Sequence, residues 1–224
     1  MKISVIICCY NSESIILKTI NSVIEQSIDS ELFNLYIVDN NCSDRTVEIC
    51  HSTLDKTSVE YEVLTEKKPG LMYARIKGAR QVKNEITLFV DDDNILEKDF
   101  LKKLLNLYEL KEDVGVIGVQ VEPLVDESTP AWFYDYLSVY ACGKQGNESQ
   151  DVTKTRMTLF GAGLSFRTIA LEENLIKNND FTLMGRTGNK LLRGDDSELC
   201  MKCILTGWNV WYEEDLVLKH NILP

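Results

Sequence analysis

Along the first half of the chain, short apolar runs alternate with stretches of helical spacing. The runs Ile3–Cys9, Leu35–Val38, Val59–Leu64, Ile86–Val90 and Val114–Val121 have the length of buried strands. Between the first two, Ile16, Ile20, Val23 and Ile24 share one helical face. They predict a helix started by Asn11 or Ser12 and running to about Gln26. Ser43 or Asp44 starts a short helix through Val47, Ile49 and Cys50. Pro69-Gly70 is a turn signal, and Leu71, Ala74, Gly78, Ala79 and Val82 then mark a helix with small residues on its packing face. Phe100, Leu101, Leu104, Leu105 and Tyr108 mark the next.

This order predicts an α/β fold with a mostly parallel sheet flanked by helices on both faces. Ligands of such sheets bind outside the carboxyl ends of the strands. Three polar clusters fall at such ends: "CCYN" after the first strand, "VDNN" after the second and "DDDN" after the fourth. Distant in sequence, they would meet at one edge of the sheet.

The second half is less regular. "PAWFYDYLSVYA" is dense in aromatics, "GAGLSF" is a small-residue turn entering an apolar segment, and "GDDSELCMKCILTGW" reads as an acidic start to a helix stopped by Gly207. "VWYEEDLVLKHNILP" reads as short strands ending near His220. Trp132, Phe133, Tyr134, Tyr136 and Tyr140 fit either a core helix or a platform for a sugar or lipid-linked acceptor. Aromatic density alone favours the core.

Composition narrows the class. With 224 residues, 44% hydrophobic and 26% charged, the chain can bury a substantial core. No apolar run approaches the roughly 18 residues of a membrane span. The start "MKISVIICCYN" lacks a small-residue cleavage site and is read as a strand, not a signal peptide. Seven cysteines, an odd number, fit reduced core thiols and a cytoplasmic setting. The CxxC of Cys200 and Cys203 has no matching second pair, which argues against zinc. A formal net charge of −11 argues against a nucleic-acid partner and against broad attraction to anionic lipid. An anionic ligand remains compatible when a metal ion mediates.

The carboxylates carry the chemistry. Asp91, Asp92 and Asp93 directly follow a buried strand, where like charges repel. Mg²⁺ and Mn²⁺ prefer carboxylate oxygens, and Mg²⁺ often takes one or two carboxylates plus substrate phosphates. A solvated turn or helix start is the plainer use, but Glu97 and Asp99 already serve the next helix. Asp39 could accept a hydrogen bond from a nucleobase, and Asp44 is read as a cap. Arg75 could pair with the aspartates, approach a phosphate, or make an exposed salt bridge. Asp195 and Asp196 precede a helix that one of them could cap, leaving the other as general base. His220 is a surface or packed residue, or the completion of a metal shell.

Taken in order, "SVIICCYN", "VDNNCSD", "FVDDDN", "GAGLSF" and "GDDSELC" resemble family 2 glycosyltransferases of the GT-A fold. The resemblance covers almost the whole chain and implies a single catalytic domain over 1–224. About 1–94 would bind a nucleotide-diphosphate sugar, by default a UDP-sugar, and about 95–224 a saccharide or lipid-linked saccharide acceptor. Tyr10 and Asn11 would line the nucleotide pocket with Asp39 on the base, and Arg75 and Asp92 would join Asp91 on the donor. Asp91 and Asp93 match the family's DxD, with Asp93 a ligand of Mn²⁺ or Mg²⁺ and Asp91 on the ribose or the metal. His220 resembles a late histidine that completes the metal site. Asp196 matches the catalytic base of an inverting reaction, and Asp195 stands where Glu is usual. Trp132, Gly161, Gly163 and Asp195 are the expected acceptor contacts. Surface polysaccharide or glycolipid synthesis follows from the same resemblance, in the cytoplasm or at the inner face of the membrane. Cys8-Cys9 and Asn40-Asn41-Cys42 depart from the family's Pro-Thr and Asp-Gly-Ser. The rival readings are a nucleotidyltransferase, which would carry a Gly-rich basic loop that "CCYNSES" lacks, and a non-catalytic sugar-nucleotide binder.

Overall fold

The structure, a computed structural model, describes residues 1–178, 180–185 and 193–222. Strands β1 (Ile3–Cys9), β2 (Phe33–Asp39), β3 (Glu60–Thr65) and β4 (Ile86–Asp91) pair in parallel in the order β3-β2-β1-β4. Helices α1 (Ile16–Ile24), α2 (Thr46–Leu54) and α3 (Leu71–Ala79) connect them. The period of two along each strand divides the core between two faces. Ile3, Val5, Ile7, Leu35 and Ile37 pack with Ile16, Ile20, Cys50 and Leu54 on one side. Ile6, Tyr36, Val38 and Phe89 pack with Met72, Ala74 and Ala79 on the other. Each fully buried Ile or Leu contributes about 1.5–3 kcal/mol. The small residues of α3 permit close docking: a Cβ at Gly78 would lie 2.7 Å from Ile6 Cγ2.

Beyond β4 the sheet changes direction. After β5 (Asn94–Leu96) and α4 (Phe100–Leu110), β6 (Val114–Leu124) does not pair with β4. The three-residue β8 (Ser165–Arg167) lies between them, antiparallel to both. Strand β9 (Asn209–Asn221) runs parallel to β6, with β5 and the two-residue β7 (Gln150–Asp151) antiparallel to it. Helix α5 (Thr168–Leu171) continues as a π-helical stretch to Lys177, and α6 (Asp195–Leu205) ends at Gly207, whose φ is +96°.

Three expectations are corrected. The segment after Trp208 is one 13-residue strand, not short strands; a register shift opposite Val119–Gln120 lets it bend without breaking. Leu223 and Pro224, the last residues of that expectation, lie outside the described residues. Helix α1 begins at Ile16 without a side-chain cap, because the backbone carbonyl of Ser12 accepts the Ile15 and Ile16 N–H groups. The aromatic segment Ala131–Tyr140 is a kinked 3₁₀ stretch in which only Phe133 is buried; Trp132, Tyr134 and Tyr136 are more than half exposed. Helical spacing was too short-lived there to give a continuous core face.

Candidate active site

Parallel register brings the polar clusters together: Cys9 pairs with Asp39, and Cys8 with Asp91. After β1, Asn11 adopts a left-handed φ of 50°, and its Oδ1 accepts the Ser43 N–H at 2.7 Å. Tyr10 stays exposed beside it. After β2, Asp39 Oδ1 accepts the Cys42 N–H three residues on, at 2.8 Å, and so tightens the loop. Asp44 receives the N–H and hydroxyl of Thr46 and the N–H of Glu13, which draw its carboxyl below the ordinary value against the opposing effect of burial. It is not the helix cap, since Arg45 holds the N-cap position of α2 and makes no side-chain capping bond; Asp44 braces the turn one residue earlier. Sequence reasoning gave Asn40 no role beyond a departure from the family's pattern. This buried side chain donates to the carbonyls of Glu66 and Lys68 and accepts the Gly70 N–H, all within 2.9 Å. It thereby fixes the loop that leads into α3. An Asn immediately after the strand-terminal Asp was the available signal.

The three adjacent aspartates do not share one environment. Asp91 Oδ1 faces Arg75 Nη2 at 3.5 Å. Asp92 Oδ2 accepts the Tyr10 N–H at 3.1 Å, and its backbone carbonyl accepts the Thr19 hydroxyl. Asp93 Oδ1 accepts from Asn94 Nδ2, and its Oδ2 lies 3.3 Å from His220 Nε2. Their mutual repulsion is thus offset by three separate partners. Burial raises the Asp91 carboxyl against the pull of Arg75, and raises Asp92 to about 7. Asp92, expected on the donor, is placed so that it pins the β1 exit and α1.

His220 arrives by strand pairing, since Asn94 is its partner across β5 and β9. Its Nδ1 lies 3.1 Å from the Tyr140 carbonyl and 3.8 Å from Cys142 Sγ. Burial works to lower the imidazole, but the bonds to Asp93 and Cys142 and the nearby carboxylates overcome it and raise it to about 10.

The second acidic pair approaches from the other side. Gly194, at φ +105°, turns the chain into α6. Asp195 is buried, and its Oδ2 accepts from Arg75 Nη1 at 2.9 Å. Asp196 Oδ2 accepts the Gly161 N–H and its Oδ1 the Ser197 N–H, each at 2.8 Å. Burial raises the Asp196 carboxyl, as does Asp195, against the pull of Arg75. A raised carboxylate in a cleft is suited to taking a proton. Arg75 is therefore a buried bridge, and the expectation of an exposed salt bridge is corrected.

One acceptor expectation changes. Gly163 is buried at φ +68°, and a Cβ there would lie 2.3 Å from Leu218 Cδ2 and 2.9 Å from Val119 Cγ2. Its place is in the sheet packing and not on an acceptor-facing surface. Trp132 packs edge-to-face on Tyr136, and only the far end of its segment, at Tyr140, reaches His220. Gly161 does stand at the cleft, on Asp196.

Among the described residues no three His, Cys, Asp or Glu side chains converge on one metal position. Asp93 and His220 form a pair, and Asp91 is tethered to Arg75. Two carboxylates and an imidazole fit Mn²⁺ or Mg²⁺ when substrate phosphates complete the shell, and do not form an all-protein cage.

The sequence model described as "Glycosyl transferase family 2" matches residues 4–172. The chain belongs to glycosyl transferase family 2. Among family relatives, the glucosyl-dolichyl phosphate glucuronosyltransferase of Haloferax volcanii is 26% identical over 229 residues, 99% of this chain and 70% of that protein. The poly(ribitol-phosphate) beta-N-acetylglucosaminyltransferase TarS of Staphylococcus aureus is 32% identical over 102 residues, 46% of this chain but 18% of that protein. The crystal structure of TarS 1-349 in complex with UDP-GlcNAc superposes with a TM-score of 0.75 at 21% identity, covering 100% of this chain and 59% of that one. The fold is accordingly the GT-A fold. The chain spans less than two thirds of that solved structure.

Proposed function

We propose that this family 2 member is an inverting, metal-dependent glycosyltransferase. It moves a sugar from a nucleotide-diphosphate sugar, by default a UDP-sugar, to a hydroxyl of a saccharide or lipid-linked saccharide. The observation that carries the reading is that one buried arginine, Arg75, joins Asp91, next to the Asp93–His220 pair, to Asp195, next to Asp196. A nucleotide pocket, a polyanion site and a proton acceptor then share one cleft.

In this reading Asp39, Tyr10 and Asn11 bind the nucleotide. Asp93 and His220, with Asp91, would hold Mn²⁺ or Mg²⁺, which when bound neutralises diphosphate charge that grows as the leaving group departs. Asp196 takes the proton from the acceptor hydroxyl as its oxygen attacks the anomeric carbon. The new C–O bond forms opposite the breaking bond to the diphosphate, so configuration inverts without a covalent sugar–enzyme intermediate. Gly161 N–H and Ser197 N–H hold the Asp196 carboxylate in place for this. A glucosyl-dolichyl phosphate glucuronosyltransferase, a poly(ribitol-phosphate) beta-N-acetylglucosaminyltransferase and TarS in complex with UDP-GlcNAc as relatives support donors such as UDP-GlcNAc and acceptors on lipid or polymer phosphates, hence surface polysaccharide or glycolipid synthesis. Among the described residues no helix is long and apolar enough to cross a membrane. Work in the cytoplasm, with peripheral contact at the inner membrane face, is part of the proposal.

A panel of nucleotide sugars with Mn²⁺, followed by product analysis, tests it. Sugar transfer or donor hydrolysis with release of nucleoside diphosphate is expected. Nucleotidyl transfer with release of sugar 1-phosphate would overturn it, as would tight binding with no turnover of any donor.

A further inference from the structure

We infer that Arg75 is a positioning residue that ties the helix bearing the proposed base to the donor side of the cleft, and is not a ligand of the donor. The inference rests on the transferase reading for its kinetic consequences, but its geometry stands apart from it.

Only 4% of the Arg75 side chain is exposed. Its shorter bond, 2.9 Å, goes to Asp195 on α6, and its longer one, 3.5 Å, to Asp91 on β4. The Phe89 ring lies 5.4 Å from Cζ. Gly161 covers the other end: a Cβ there would come within 2.8 Å of Nη2 and 3.4 Å of Asp196 Oδ2. The guanidinium, the Gly161 backbone and the Asp196 carboxylate are thus packed in direct succession, which explains the need for glycine at 161. Nε is buried with no hydrogen-bond partner. Such a group is held by its two termini, and the carboxylates fix where it sits.

Charge supports the same conclusion. One guanidinium placed between Asp91 and Asp195 has more than its own charge balanced, so a diphosphate would meet no net positive field from it. Mechanical continuity runs the other way. Asn40, next to Asp39, anchors Gly70 at the start of α3, and α3 carries Arg75 to Asp195. The nucleotide end and the base end of the cleft are linked through this path.

The test uses the full chain with Arg75→Met, Arg75→Lys and Asp195→Asn. Metal-free UDP affinity, read by calorimetry, should change by less than about threefold, since the nucleotide contacts proposed for Tyr10, Asn11 and Asp39 are untouched. Transfer kcat at saturating donor should fall on the order of a hundredfold in Arg75→Met, the scale of a misplaced reacting group, with partial recovery in Arg75→Lys. Amide exchange over the first turns of α6 should accelerate, while that of β1 and β2 stays unchanged. A tenfold or greater loss of UDP affinity with kcat retained would make Arg75 a donor ligand and overturn the inference. Unchanged kcat and unchanged α6 exchange would overturn it too. If Arg75→Met does not fold, Asp195→Asn removes the shorter bond at constant size and must reproduce both the kcat loss and the faster exchange. If the wild-type chain transfers no sugar, the transferase reading fails, and the exchange measurement alone still decides the tie.

Discussion

Replacing Asp196 by Asn separates proton transfer from everything else the side chain does. The carboxylate accepts two backbone N–H groups, from Gly161 and Ser197, each at 2.8 Å. An amide has one oxygen, so one of these donors would face an NH₂ group. Losing one hydrogen bond to a charged acceptor costs about 1.5–3 kcal/mol. Losing the charge at the first turn of α6 adds up to about 1 kcal/mol. Relief of a buried charge beside Asp195 offsets part of this, because burial and that neighbour already oppose ionisation. The net stability loss should be about 1–3 kcal/mol, small enough for a domain of ordinary stability to remain folded. A general base contributes about 10²–10⁴-fold, and at 1.36 kcal/mol per decade this is about 3–5 kcal/mol of barrier. Steady-state transfer at saturating donor and acceptor should therefore fall by at least about a hundredfold, while UDP affinity is kept. The sign of the pH dependence follows from the raised carboxyl. Only the ionised form takes a proton, so wild-type kcat should rise with pH through a value above the ordinary carboxylate pKa. The Asn variant should lose that limb. A variant with kcat within tenfold of wild type and the limb intact would remove Asp196 from the base role.

Two further perturbations address the metal and the packing. Asp93→Ala removes the partner of His220 and should abolish Mn²⁺-dependent UDP binding in calorimetry while weak metal-free binding persists; unchanged Mn²⁺ dependence would refute its place as a ligand. Gly163→Ala combines a left-handed backbone, about 1–2 kcal/mol, with overpacking against Leu218 and Val119, about 1–3 kcal/mol. Urea unfolding should show a lower midpoint at unchanged slope, and a loss below about 1 kcal/mol would contradict the contact.

The apolar runs and the helical spacing between them were enough to place β1 to β4 and α1 to α4, because each element buries a face whose period is local. The same runs end in Asp39 and Asp91, so a site at the carboxyl edge could be expected before any coordinates. The ordered motif set then named the family. Local pattern did not reach further. The insertion of three-residue β8 between β4 and β6 depends on pairing partners some fifty to eighty residues away, and a strand so short has no period to read. The approach of His220 to Asp93 is set by β5–β9 register, and the pairing of buried Arg75 is set by the arrival of Asp195 at the start of α6. Exposure followed the same rule: the aromatics after Pro130 looked like core because hydrophobicity is a property of the residue, whereas burial belongs to what packs against it. Residue chemistry therefore determined what the cleft could hold. Which carboxylate takes the Gly161 amide, which pins a loop and which sits against an arginine was decided only when distant segments were brought within hydrogen-bond distance.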